Sequence, residues 1–286
     1  MKTKTIILIC LFLAVGLIQL SAQKASKQDE YTMLGEPAPV QDKMNGKVQK
    51  VVMRFYWTKG SGDNIEKGRH ITTRERDSLG WYYDFEATFD KTGDHIITYK
   101  TLDDNGNPFT SYEFFKEGDH VVKSKWYMGK DTQAGDLKFS KGDGYTTFKY
   151  DDRGYEILRA DYKAEGNVLL YTYPMKNNEF GDQVEAEARD GKNNFLFKWS
   201  TIYNDKRQII GGSWTDKGGN PAGSYKTTYN EKGKESDVTY YDKDNKVTYF
   251  LKYTYPFYDT KGNWVNCISR NSLGQIGYCE RTITYY

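Results

Sequence analysis

Beyond its first 20 residues the chain has no apolar run long enough to cross a bilayer as a helix, which excludes a helical membrane protein for everything downstream. Histidine is scarce, with three in all. His95 and His120 occupy equivalent places in Gly93-Asp-His-Ile96 and Gly118-Asp-His-Val121. On next-but-one strands they would stand about 9 to 10 Å apart, too far to share one metal ion. No Cys or Glu cluster supplies further ligands, so no metal or cofactor is expected. Cysteine is nearly absent as well: Cys10 falls in the leader, and only Cys267 and Cys279 follow it. Net charge is missing too. Taking Lys2 and Lys4 from 41 basic residues leaves 39 against 39 acidic ones, so nucleic acid is not an expected partner.

Met1 to Gln23 has a basic start, an apolar stretch from Ile6 to Leu20 and small residues at Ser21 and Ala22. This is the pattern of a secretory signal peptide, and it implies an exported, periplasmic, cell-surface or extracellular protein. Residues 24–45 are polar, contain Pro37 and Pro39, and show no strand or helix period, as in a leader or tether. The rest, 46–286, is expected to be a single β-repeat domain.

That domain is punctuated by one turn signature: Asp or Asn, two variable residues, then Gly, Asn or Arg. It occurs at 90–93, 103–106, 151–154, 204–207, 216–219, 230–233, 242–245, 259–262 and 271–274. Asp and Asn favour the first position of a type I turn, and Gly accepts the left-handed conformation that closes a three-residue hairpin loop. An aromatic residue precedes the turn at Phe89, Tyr150, Tyr203, Tyr229, Tyr241 and Tyr258, as a strand end would. Spacings of 12 or 13 residues between turns leave strands of about eight residues, and such short connections allow only antiparallel neighbours. Val247, Tyr249, Leu251, Tyr253 and Tyr255 share one predicted face, with Lys246, Thr248, Lys252 and Thr254 on the other. The expected fold is all-β: an antiparallel meander of repeated hairpins forming a large curved sheet, open or rolled into a barrel-like shape. Residues 58–80 read as a long hairpin.

Tyr150-Asp-Asp-Arg-Gly154 and Tyr258-Asp-Thr-Lys-Gly262 resemble the Tyr-Asp-x-x-Gly units of the RHS family, with weaker copies starting at Phe89, Tyr229 and Tyr241. The chain is also similar to small secreted Bacteroidetes-type proteins of unknown function that open on Gly-Lys-Val, as Gly46-Lys47-Val48 does here. RHS repeats coil into a β-shell around a toxin domain. This chain is short and irregular in spacing, and no enclosed toxin is expected of it, so the resemblance implies the strand-and-turn unit and no activity.

Chemistry-bearing motifs are few. Asp103-Asp-Asn-Gly-Asn107 has Pro108 and Phe114 where a calcium loop of the EF-hand type needs Gly and an acid, so it reads as a turn. Gly62 to Gly68 lacks the spacing and ending of a phosphate loop, and no serine sits in a Gly-x-Ser-x-Gly elbow. Glu185 and Glu187 alternate on one strand face and read as solvated. Trp126, Trp199, Trp214 and Trp264 offer a stacking surface for sugars or peptides, although a sheet poor in leucine needs such rings for its core. No residue is assigned a catalytic role.

Three readings stay open at this point. The first is an exported non-catalytic protein that binds a cell-surface protein, peptide or glycan, or has a structural envelope role. The second is an enzyme acting on glycan polymers. The third is an outer-membrane β-barrel, favoured by the leader, the alternation and the terminal Tyr285-Tyr286, and opposed by short strands and by Lys123, Lys125, Lys246 and Lys252 on mid-sheet faces. If Asn271 to Gly274 closes a hairpin, counting outward sets Cys267 opposite Cys279. Opposed Cα atoms about 4.5 or 5.5 Å apart suit a disulfide in an oxidising compartment; a one-residue slip would put the two on opposite faces.

Overall fold

A computed structural model describes residues 44–60, 64–75, 84–93, 95–130, 132–134 and 137–286. The expected signal peptide, and the leader up to residue 43, lie outside these. The strands are β1 (Val48–Lys59), β2 (Glu66–His70), β3 (Asp84–Phe89), β4 (Ile96–Leu102), β5 (Pro108–Glu117), β6 (His120–Met128), β7 (Thr132–Ala134), β8 (Leu137–Phe139), β9 (Gly142–Tyr150) and β10 (Glu156–Lys163). They continue as β11 (Val168–Asn177), β12 (Gln183–Asp190), β13 (Phe195–Tyr203), β14 (Ile209–Thr215), β15 (Pro221–Tyr229), β16 (Glu235–Asp242), β17 (Val247–Tyr258), β18 (Trp264–Asn271) and β19 (Ile276–Tyr285).

The meander closes. From β3 onward each strand pairs antiparallel with its successor, β6 passing directly to β9, and β1 fills the gap between β19 and β3, giving a barrel of 16 strands. Closure leaves the ring no edge to template association. β1 pairs with β19 from Val48 to Trp57, with β3 only from Lys50 to Met53, and with β2 from Tyr56 to Lys59. Of the predicted hairpin over 58–80, residues 61–63 and 76–80 lie outside the described ones; among the rest β1 and β2 pair over a short stretch, and β3 takes over the same side of β1. Asp84 manages the handover. Its buried carboxylate accepts from the Phe55 amide at 3.0 Å and from Arg54 Nη1 at 2.9 Å, and lies 2.6 Å from His70 Nε2.

All nine predicted turns form, each with the amide of its fourth residue donating to the carbonyl of its first. Two more, Asn178 to Gly181 and Asp190 to Asn193, carry the same signature. The first side chain then caps the loop: Asp216 Oδ1 accepts from the amides of Gly218 at 2.8 Å and Asn220 at 2.9 Å. Arg207 holds φ at +61°, a region strained for a side chain, and its guanidinium binds Asp182 in the neighbouring turn, which offsets that strain. Tyr150, Tyr203 and Tyr229, each before a turn on the same rim, are latches that donate to the carbonyls of Val121, Gln183 and Ile209. Tyr286 completes the circuit across β1 by donating to the Phe89 carbonyl at 2.7 Å.

The two faces of the wall differ sharply. Alternate residues such as Val51, Met53 and Phe55 on β1, or Phe85, Ala87 and Phe89 on β3, are buried inside. The outer positions carry cross-strand ion pairs and hydroxyl pairs, including Lys50 with Glu86 at 2.6 Å, Lys176 and Lys198 with Glu185 at 2.6 and 3.2 Å, and Ser200 with Ser213 at 2.8 Å. Inward glycines seat the large rings flat against the wall. A Cβ on Gly144 would lie 1.9 Å from the Trp126 ring, and one on Gly223 would lie 2.3 Å from Trp214.

Candidate functional site

The inner wall from β9 to β13 holds the densest set of buried polar groups. A break in register between Glu156 and Leu158 adds a residue to β10, so Glu156 and Arg159, three apart, both turn inward, followed by Asp161. Arg159 donates from Nε to Glu156 Oε1 at 3.0 Å and from Nη2 to Oε2 at 3.1 Å, and its guanidinium lies 5.1 Å from the centre of the Phe148 ring. Thr146 on β9 donates to Asp161 Oδ1 at 2.7 Å. Asn177 on β11 donates to the Glu156 carbonyl at 2.8 Å.

Burial governs the titration of this group. It pushes the Glu156 carboxyl up to about 8 against the pull of Arg159. It also raises Asp161, opposed by the hydrogen bond from Thr146, and it raises the Tyr173 phenol, with the Asp161 charge adding to the effect. Two buried acids with raised pKa values are a chemical resource, but both stand on one strand with protein partners. Retaining or inverting sugar hydrolysis needs carboxyls facing each other across a gap. The arrangement is that of an internal clamp.

Past the clamp runs an aromatic ladder. Trp199 is paired in register with Trp214, Tyr225 with Tyr240, and Tyr240 with Tyr249. Ring centres are 6.4 Å apart for Tyr173 and Trp199, 6.2 Å for Tyr225 and Tyr240, and 6.1 Å for Tyr240 and Tyr249. Ala186 and Ala188 on β12, both buried, leave room for the rings of β11 and β13 to meet above them. Trp199 Nε1, Gln183 Nε2 and Thr101 Oγ1 are buried polar atoms without a hydrogen-bond partner.

The residues singled out from sequence are dispersed. Trp126, Trp199, Trp214 and Trp264 are 5, 4, 7 and 0% exposed, so they pack inside and form no external stacking surface. Glu185 and Glu187 do lie outside, but with partners: Glu185 with two lysines, and Glu187 with Arg189 at 2.7 Å. His70 binds Asp84, His120 lies 4.4 Å from the Tyr150 ring, and no group of three potential metal ligands occurs among the described residues. Cys267 and Cys279 are directly opposed, in the register that counting from the turn gives, and both are buried thiols in this structure. Burial pushes the Cys279 thiol up. Sequence reasoning missed Glu156, Arg159 and Asp161 because strict alternation places Glu156 and Arg159 on opposite faces.

No family model matches the chain, and no curated protein does. Among solved structures, a porin-like protein from Bacteroides vulgatus is 14% identical, with 84% of this chain and 98% of that one covered and a TM-score of 0.45. A porin-like protein from Bacteroides uniformis is 10% identical, with 84% and 99% covered and a TM-score of 0.39. A LolA superfamily protein from Nitrosomonas europaea is 8% identical, with 86% and 88% covered and a TM-score of 0.22. Similarities this distant leave the activity to be argued from the chain's own residues. No helix among the described residues is long and apolar enough to cross a membrane.

Proposed function

We propose that this chain is an exported, water-facing β-barrel that acts without catalysis, as a binding or structural protein of the cell envelope. One observation carries the reading: apart from a few paired charges such as Glu156 and Arg159, the wall is mainly apolar inside, and it carries charged residues at mid-strand positions outside. A barrel that spans lipid presents an apolar band outward and polar residues inward. Here Lys123 and Lys125 on β6 alternate with buried Ser124 and Trp126, so the lysines occupy mid-strand positions on the outer face. At a bilayer midplane each such charge costs about 2 to 4 kcal/mol. An enzymatic role finds no support in the buried acids, whose bonds go to Arg159 and Thr146. The resemblance to RHS repeats enters this reading only through the strand-and-turn unit.

The even-numbered closed meander favours a second reading, an outer-membrane barrel, and one experiment separates the two. Residues 24–286 are produced and centrifuged at high speed in buffer without detergent. The expected result is a β-rich protein that stays in the supernatant as one discrete species. A protein that pellets and is recovered folded only in detergent or lipid would overturn the water-facing assignment and establish the membrane one.

A further inference from the structure

Single apolar side chains on a surface are ordinary, but a gathered set marks a contact. Ile157, Phe180, Ile202 and Ile210 are 40, 56, 57 and 37% exposed, and all lie on the outer wall from β10 to β14 beside one rim. They are neighbours. Ile202 pairs with Gly211, one residue from Ile210. Arg207 donates to the Phe180 carbonyl at 3.3 Å, which sets the turn after β11 against the turn after β13. Tyr155 donates to the Glu179 carbonyl at 3.3 Å and draws the start of β10, with Ile157, to the same place. Ile157 and Ile210 are each the extra residue at a break in register, so the bulge that turns Glu156 inward also leaves Ile157 in water. Small residues beside them, Ser200 and Ser213, keep the wall low enough for another flat surface to approach.

Charge around the patch is divided. On the turn tips stand exposed Asp152, Glu179 and Asp205 against Lys206, while Arg153 is bonded to Asp151 and Arg207 to Asp182. On the wall away from the tips stand Lys149, Lys176 and Lys198, of which the last two share Glu185. The surface that fits is therefore apolar in the middle, basic opposite the tips and acidic opposite the wall. The patch itself has that pattern when turned upside down. A two-fold axis across the strands sets tips against wall, whereas an axis along the strands would set acids against acids.

We propose that this patch joins two copies of the chain, the barrels side by side and antiparallel. The proposal rests on the water-facing reading, because the patch must meet water before it meets its twin. Five strands span about 19 Å and tips to lysines about 20 Å, so each copy offers roughly 400 Å², the small end of specific interfaces, and the dimer is reversible. Sedimentation velocity of residues 24–286, from low micromolar to submillimolar concentration, should show monomer passing to dimer. I202K should stay monomeric with the wild-type melting temperature, and F180S replaces it if it fails to fold. V247K, at an exposed apolar residue on the opposite rim, should dimerise like wild type. D152K and K149E should each weaken the dimer about threefold, as exposed ion pairs do, and the double variant should recover it. A monomer at every concentration, a dimer that survives both I202K and F180S, or one that V247K abolishes would overturn the assignment, as would a monomer that floats with phosphatidylglycerol vesicles. A tighter dimer in D152K would overturn the antiparallel arrangement. A monomer that stays in the supernatant sinks this inference and leaves the water-facing reading intact, whereas a protein that pellets without detergent sinks the reading itself.

Discussion

Replacing Glu156 by glutamine should stabilise the protein above neutral pH and leave it nearly unchanged in mild acid. The carboxyl is fully buried, and burial lifts its pKa from an ordinary 4.5 to about 8. Between those values the folded chain holds a proton that the unfolded chain has released, so stability falls as pH rises. This contribution is fully present below about pH 4.5 and lost once the pH passes about 8. At about 1.4 kcal/mol per pKa unit, the whole window is worth at most about 5 kcal/mol. Glutamine mimics the protonated acid at every pH and removes the slope. Urea unfolding of wild type and E156Q at pH 5, 7 and 9 reads the effect directly: similar midpoints at pH 5, and a growing advantage for E156Q toward pH 9. Asp161 titrates in both proteins, so most of its own contribution cancels in their difference. R159M should lose about 3 to 5 kcal/mol at pH 9, the usual cost of breaking a buried pair, and less at pH 5, where its partner is neutral. An E156Q protein less stable than wild type at pH 9 would refute the reasoning, since it would mean that the bidentate bond to Arg159 outweighs burial.

Gly144→Ala drives a Cβ into the Trp126 ring, 1.9 Å away, and should cost about 1 to 3 kcal/mol in thermal unfolding; an unchanged melting temperature would show that the ring has room to tilt. Asp216→Ala removes the oxygen that caps two amides of its turn and should cost about 1 kcal/mol, whereas a neutral result in denaturant would assign the turn to its backbone alone. Cys267 and Cys279, opposed in register, are expected to be joined when the protein is exported to an oxidising compartment, and non-reducing peptide mapping should recover them in one linked species. Thiols at both positions in that preparation would count against the bond and for two small core residues. Tyr286→Phe should lower stability by about 1 kcal/mol through loss of the latch to Phe89, and equal urea midpoints would leave closure to the β1–β19 ladder.

Local chemistry was legible in the residues. An Asp or Asn followed three positions later by Gly, Asn or Arg acts within five residues, so the nine predicted turns form, and Asn178 and Asp190 open two more. Period-two alternation gave β17 its two faces, and counting from a turn gave the register of β18 on β19 because a hairpin loop fixes its own pairing. Closure was not legible. It requires Val48 to find Tyr285, a pairing of chain ends that depends on the number, tilt and twist of every strand between them. Nor did alternation tell inside from outside for the charged residues of β10, since a single added residue turned Glu156 to the side of Arg159. The tryptophans read as core rings with a stacking surface as the lesser alternative; the closed ring buries all four, and the glycines at 144 and 223 receive Trp126 and Trp214. Turns and strand periods belong to neighbours in the chain and can be read from it, whereas which face becomes the interior is decided only when the last strand meets the first.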